Sequence, residues 1–198
     1  MPSSDAIQHS IAAAWAVMMG RKDAIARFDL SADGFWDSFW AIPLALPPLL
    51  LAWVTSAALL AEGGAADGSK FSLILRLAFV DFANWLVPLI LLALIVRRIQ
   101  LSKRFAPYVV ASNWGTLIMM WLGLPIMLMS LLFPGLSDFA SVLGFGLFLA
   151  SLLFSWRITQ AALNTDFGTT IGVFLGMTFL SILIVIFLQP MLGLTLPA

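Results

Sequence analysis

The sequence contains no cysteine, and its one histidine, His9, has no second imidazole to act with. Disulfides, thiolate nucleophiles, iron–sulfur clusters and cysteine zinc sites are excluded together. Imidazole metal cages and a membrane-buried Ser-His-Asp triad also lack their parts. Charge is scarce: 10% of residues are Asp, Glu, Lys or Arg, against roughly 25% in a soluble domain. The formal net charge is zero, so the basic footprint of a nucleic-acid binder is missing. No HExxH, GxSxG, Walker loop or paired-carboxylate constellation is present, so the chain is expected to be non-enzymatic and to need no cofactor or metal.

What the chain has in abundance is apolar length. Apolar residues make up 62% of its 198 positions, with a mean hydropathy of +1.03. A bilayer crossing takes roughly 20 such residues to cover about 30 Å of hydrocarbon. Five stretches meet this requirement, at about 35–60, 73–96, 108–133, 139–156 and 169–188. They predict an all-α, polytopic membrane helix bundle whose main partner is the lipid bilayer. The first stretch opens on Phe35, Trp36, Phe39 and Trp40, the aromatic belt of a membrane interface. Polar breaks separate the stretches: a flexible loop from Glu62 to Lys70, a basic loop, a Phe133-Pro134-Gly135 turn, and a connector from Arg157 to Gly168. In that connector, Thr165 or Asp166 is suited to cap the fifth helix.

Basic residues set the orientation. Arg21, Lys22, Arg27, Arg97, Arg98, Lys103, Arg104 and Arg157 fall on one side of the alternating spans, and only Lys70 and Arg76 on the other. The positive-inside rule then puts the N-terminus in the cytoplasm and the C-terminus on the opposite side, with a bacterial inner membrane as the expected location. Arg97, Arg98, Lys103, Arg104 and Arg157 form the expected cytoplasmic basic surface. Residues 1–33 read as a cytoplasmic amphipathic segment. Its start has no basic n-region, so retention is expected rather than cleavage. Its apolar side suits either the inner membrane surface or the cytoplasmic loops.

Lipid is as apolar as leucine, so close approach and hydrogen bonds must hold the helices together. Gly168, Gly172 and Gly176 form a stripe at i+4 spacing on the fifth span, and Ala140, Gly144, Gly146 and Ala150 offer comparable spacing on the fourth. These predict close packing of the fourth and fifth spans, with a homodimer as the competing use of the stripe. Prolines 43, 47, 48, 88 and 125 each remove a helical hydrogen bond and free a carbonyl that needs a neighbour.

One polar spot stands out. Asp81 is the carboxylate placed well inside a span, Asn84 follows on the same helical face, and Pro88 frees the carbonyl of Asn84. An ionised Asp at mid-helix costs about 3 kcal/mol to insert. The spot reads either as a proton or cation site or a gate, or as an Asp lying near the outer headgroups and bonded to a loop. Asn113-Trp114 in the third span repeats the Asn84-Trp85 pair, and the two asparagines are expected to meet across the hairpin. Met119, Met120, Met127 and Met129 could bind copper(I), but without cysteine or a nearby histidine they read as packing residues. Arg157, Gln160 and Asn164 continue the fourth helix on one face, toward headgroups or a partner.

Asp29-Leu30, followed by the aromatics of DLSADGFWDSFW, resembles the Yip family, the Ypt-interacting five-span membrane proteins. Family members carry an Asp-Leu-Tyr-Gly-Pro element there; Tyr and Pro are absent here. The resemblance extends to the span number, short loops and cytoplasmic N-terminus, and is nearest to the prokaryotic relatives. It implies a membrane protein that organises membrane or partner proteins, with a protein partner or homo-oligomer. A small transporter or channel subunit built around Asp81 and Asn84, or an accessory subunit of a larger complex, are the alternatives.

Overall fold

A computed structural model describes residues 2–62 and 69–194. Most of the loop expected between Glu62 and Lys70, and the end of the chain after Leu194, lie outside the described residues. Among those residues there is helix and no strand. An N-terminal helix, Ser4–Met18, is followed by a short helical turn, Lys22–Arg27, and then by five helices long and apolar enough to cross a membrane: Ala32–Glu62, Lys70–Ile95, Ser102–Leu132, Pro134–Leu163 and Phe167–Met191. The protein is an all-α membrane helix bundle.

Four helix starts carry side-chain caps. Ser3, Ser31, Ser69 and Asp166 adopt extended backbone and accept the N–H of residue Ala6, Gly34, Ser72 and Thr169 respectively, satisfying donors that a helix start leaves free. Of the two caps considered for the fifth helix, Asp166 does the work at 2.9 Å, and Thr165 donates its hydroxyl to the same carboxylate. These hydrogen bonds hold the Asp166 carboxyl below its ordinary range. Every span is longer than its apolar run, because residues flanking the run remain helical.

Proline acts differently in different spans. The second and third helices run through Pro88 and Pro125. In the first, Pro43, Pro47 and Pro48 coincide with a segmented start, and the regular helix Leu46–Glu62 begins only after a break at Ala45. Pro48 has no N–H for the carbonyl of Leu44. The indole of Trp121 on the third span donates to that carbonyl at 3.0 Å. The freed backbone acceptor has thus found a protein neighbour, as hydrocarbon surroundings demand.

The third and fourth spans pack along the greatest length, and the second lies between the first and the fifth. The N-terminal helix lies on the third and fourth spans. It buries Ala13, Ala14, Val17 and Met18 against Val110, Ala111, Trp114 and Ile158. Protein therefore covers the C-terminal half of its apolar side, while Trp15 stays 43% exposed and lines an open apolar groove with Ile7 and Ile11. Gly115 permits this approach: a Cβ there would lie 2.5 Å from Ile158 Cδ1 and 3.8 Å from Met18 Sδ.

The expected seam between the fourth and fifth spans takes another form. A Cβ at Gly144, Gly146, Gly172 or Gly176 would meet nothing within 4 Å. Gly168 approaches only the capping Asp166 side chain. The two spans touch instead through Trp156, which meets Phe167 and Phe174 edge-on at 5.9 and 5.5 Å. The fourth helix is held by the third and the fifth by the second, so the small-residue stripes have no facing backbone. A second correction concerns Asn164. The fourth helix ends at Leu163, and Asn164 takes a left-handed conformation, φ 42°. Asparagine tolerates that region, so Asn164 terminates the helix and does not extend the face of Arg157 and Gln160.

Candidate functional site

Asp81 lies on the second helix, Lys70–Ile95. At 1.5 Å per residue it stands about 16 Å from the start of that helix and about 21 Å from its end. It is deep in the span, and its partner is another helix rather than a loop: Trp53 of the first span donates its indole N–H to Asp81 Oδ2 at 2.6 Å. Trp53 is 4% exposed and packs edge-on against Phe82, with ring centroids 5.7 Å apart.

Asp81, Asn84 and Asn113 line one cavity of about 240 Å³. The second span contributes the first two residues together with Trp85 and Pro88. The third contributes Asn113 with Tyr108, Ser112 and Thr116, and the fifth contributes Thr178 and Ser181. The positions 108, 112, 116 and 120 recur every four residues, so one stripe of the third helix faces the cavity. That stripe and the hydroxyls of the fifth span were not picked out from the sequence. The i+4 spacing of Tyr108, Ser112 and Thr116 was the available signal; which helix would face it was not.

The two asparagines have different roles. Asn113 is fully buried and carries a network: Trp85 donates its indole N–H to Asn113 Oδ1 at 3.0 Å, and Asn113 Nδ2 donates to Ser38 Oγ at 2.9 Å. Ser38 Oγ in turn donates to the carbonyl of Phe35 at 2.7 Å. The repeated Asn-Trp pair therefore meets crosswise, indole to amide, and the expected Asn84–Asn113 bond is replaced. Asn84 Oδ1 is sealed from solvent and has no hydrogen-bond partner among the described residues. A buried acceptor left in this state costs about 1–3 kcal/mol.

The basic residues also divide. Arg97, Arg98, Lys103 and Arg104 are exposed at one end of the bundle. Arg157 is not part of that free surface. Its Nη1 donates to the carbonyl of Met18 at 2.7 Å, at the C-terminal end of the N-terminal helix. A cation is favoured there by the helix dipole and by the unpaired carbonyls. The chain turns away at Gly20, whose φ of +96° glycine adopts without strain. Arg76, at the other end of the bundle, plays the corresponding part for the fifth helix, donating to the carbonyl of Leu192 at 3.0 Å.

The Asp29 segment is locally ordered. Asp29 Oδ1 accepts from the Ser31 N–H at 2.9 Å and Ser31 Oγ from the Gly34 N–H at 3.1 Å. Hydrogen bonds from Ser31 hold the Asp29 carboxyl below its ordinary range. Phe35, Trp36, Phe39 and Phe105 cluster next to it, and Trp36 remains 69% exposed. Among the described residues no three His, Cys, Asp or Glu side chains gather as a metal site.

The fold defines a class, polytopic helical membrane proteins, and polar side chains of three of its helices line one cavity. Comparison with family models, characterised proteins and solved structures finds no match to this chain.

Proposed function

We propose that this is a non-enzymatic membrane protein of transporter or channel type, in which the cavity at Asp81, Asn84 and Asn113 admits a small polar species from the face bearing the basic loop. One observation carries the reading: polar side chains from the second, third and fifth spans converge on one cavity of about 240 Å³ inside an otherwise apolar bundle. Polar groups are costly in hydrocarbon and, where they face a bundle interior, mark a ligand or ion path. The cavity lining begins at Tyr108, six residues into the third helix, which supports access from that end. The excess of Lys and Arg there supports a cytoplasmic assignment for it, with the N-terminus inside. Five spans make a small carrier, so the reading goes with a homo-oligomer or with service as a subunit of a larger complex.

The absence of cysteine makes the test direct. Ser112→Cys, Thr116→Cys and Ser181→Cys each give a single thiol. A membrane-impermeant thiol reagent should label these positions in inside-out vesicles and much more slowly in right-side-out vesicles. No labelling from either face would sink the proposal.

A second reading, organisation of partner proteins in the manner of the Yip family, is supported by the ordered Asp29–Gly34 segment and the exposed Trp36 beside it. Crosslinking after gentle extraction tests it: loss of a stoichiometric companion on Trp36→Ala is the expected result, and recovery of the bare chain alone from wild-type membranes counts against it.

A further inference from the structure

We propose that the guest of this cavity is a monovalent alkali cation, held by Asp81 and by the side-chain and main-chain oxygens of Asn84. The inference rests on the cavity reading above and names what the cavity binds.

The two indole N–H groups at the cavity and the Asn113 amide are already committed. Trp53 gives its N–H to Asp81, Trp85 gives its N–H to Asn113, and Asn113 gives its amide to Ser38. No Lys or Arg lines the space. What remains is one carboxylate, the Asn84 amide and hydroxyls that donate as well as accept. Asn84 Oδ1 is buried without a partner. Pro88 provides no N–H for the carbonyl of Asn84, and among the described residues no side chain donates to it. The contrast with Leu44 is informative: there the carbonyl deprived by Pro48 receives an indole from Trp121. At Asn84 the corresponding carbonyl belongs to a residue on the cavity wall. The hydroxyls of Thr178 and Ser181 lie across from it on the fifth span.

With one carboxylate and no basic side chain on its wall, the cavity favours a cation or a hydrogen-bond donor and repels an anion. The oxygen donors are hard, which suits alkali and alkaline-earth ions rather than soft metals. A single carboxylate balances one positive charge. Calcium sites take six to eight oxygens and usually several carboxylates, so a divalent ion would leave uncompensated charge in a medium where that is costly. The volume leaves room for the ion with part of its hydration shell.

Purified protein in detergent should gain thermal stability from NaCl or KCl at constant ionic strength, relative to N-methyl-D-glucamine chloride. Saturating the site a hundredfold above its dissociation constant raises the unfolding midpoint by about 5–11 °C. Asp81→Asn should remove the shift. Asn84→Ala covers the case in which that variant fails to fold. It deletes an unpartnered acceptor and so leaves or raises basal stability, yet it should abolish the ion response. A packing residue would not behave so. Neither salt shifting the midpoint, or Asn84→Ala keeping the full shift, overturns the proposal. If the cavity thiols are labelled and the ions are without effect, this inference alone falls; if no thiol is labelled, the cavity reading beneath it falls.

Discussion

Replacing Trp53 by Phe should weaken the bundle chiefly through Asp81. The indole N–H meets Asp81 Oδ2 at 2.6 Å, below the usual range for such bonds. Hydrogen bonds between membrane helices average about 0.6 kcal/mol and reach about 1.7 in measured cases. The short distance and the carboxyl acceptor place this one at the upper end, about 1.5 kcal/mol, or roughly tenfold in the folded-to-unfolded ratio. Trp53→Phe also removes buried volume, since Trp53 is 4% exposed and packs on Phe82. A single variant therefore overstates the bond. A double-mutant cycle with Asp81→Leu cancels the packing loss, because the same loss occurs with and without the carboxylate. Reversible unfolding of all four proteins in mixed micelles gives the coupling directly. A coupling of about 1.5 kcal/mol is expected. Additivity within about 0.3 kcal/mol would refute the claim that this bond ties the first span to the second.

Three further outcomes follow from other parts of the molecule. Arg157→Met keeps the stem but removes the 2.7 Å charge-assisted bond to Met18; at about 1.5–3 kcal/mol, amide exchange in residues 4–18 should rise at least about tenfold, and unchanged exchange would show that the apolar contacts alone hold that helix. Gly172→Ala meets nothing within 4 Å and should raise stability by about 0.5–1 kcal/mol through helix propensity; a loss of stability would restore the glycine stripe as a packing seam. The Asp29 carboxyl, held below its unfolded value by Ser31, contributes stability that is present above the unfolded value near 3.8 and lost as pH falls through the lower folded value. Local exchange at residues 31–34 should therefore speed up on acidification below about pH 4, and Asp29→Asn should flatten that dependence.

The five crossings were legible because 3.6-residue helices saturated with apolar side chains leave few alternatives in lipid, where every backbone group must bond within its own segment. The polar face of Asp81 and Asn84 was legible for the same local reason: spacing along one helix fixes which side chains share a side. Cap chemistry at Asp166 also followed from residues adjacent in sequence. Partner choice between helices did not. The glycines of the fourth and fifth spans have the right spacing for close approach, yet the fold turns them away from each other and gives Trp156 the contact. Arg157 reads as surface charge until the N-terminal helix brings Met18 within 2.7 Å of it. The Asn84 and Asn113 amides could have met, but Trp85 takes the second of them and leaves the first without a partner. Sequence by itself determined which residues are helical, which are immersed and which share a face, because those follow from short-range geometry and the solvent. Tertiary structure alone decided which faces oppose one another, because many pairings of apolar helices bury similar area and only the sum of long-range hydrogen bonds and side-chain shapes selects one.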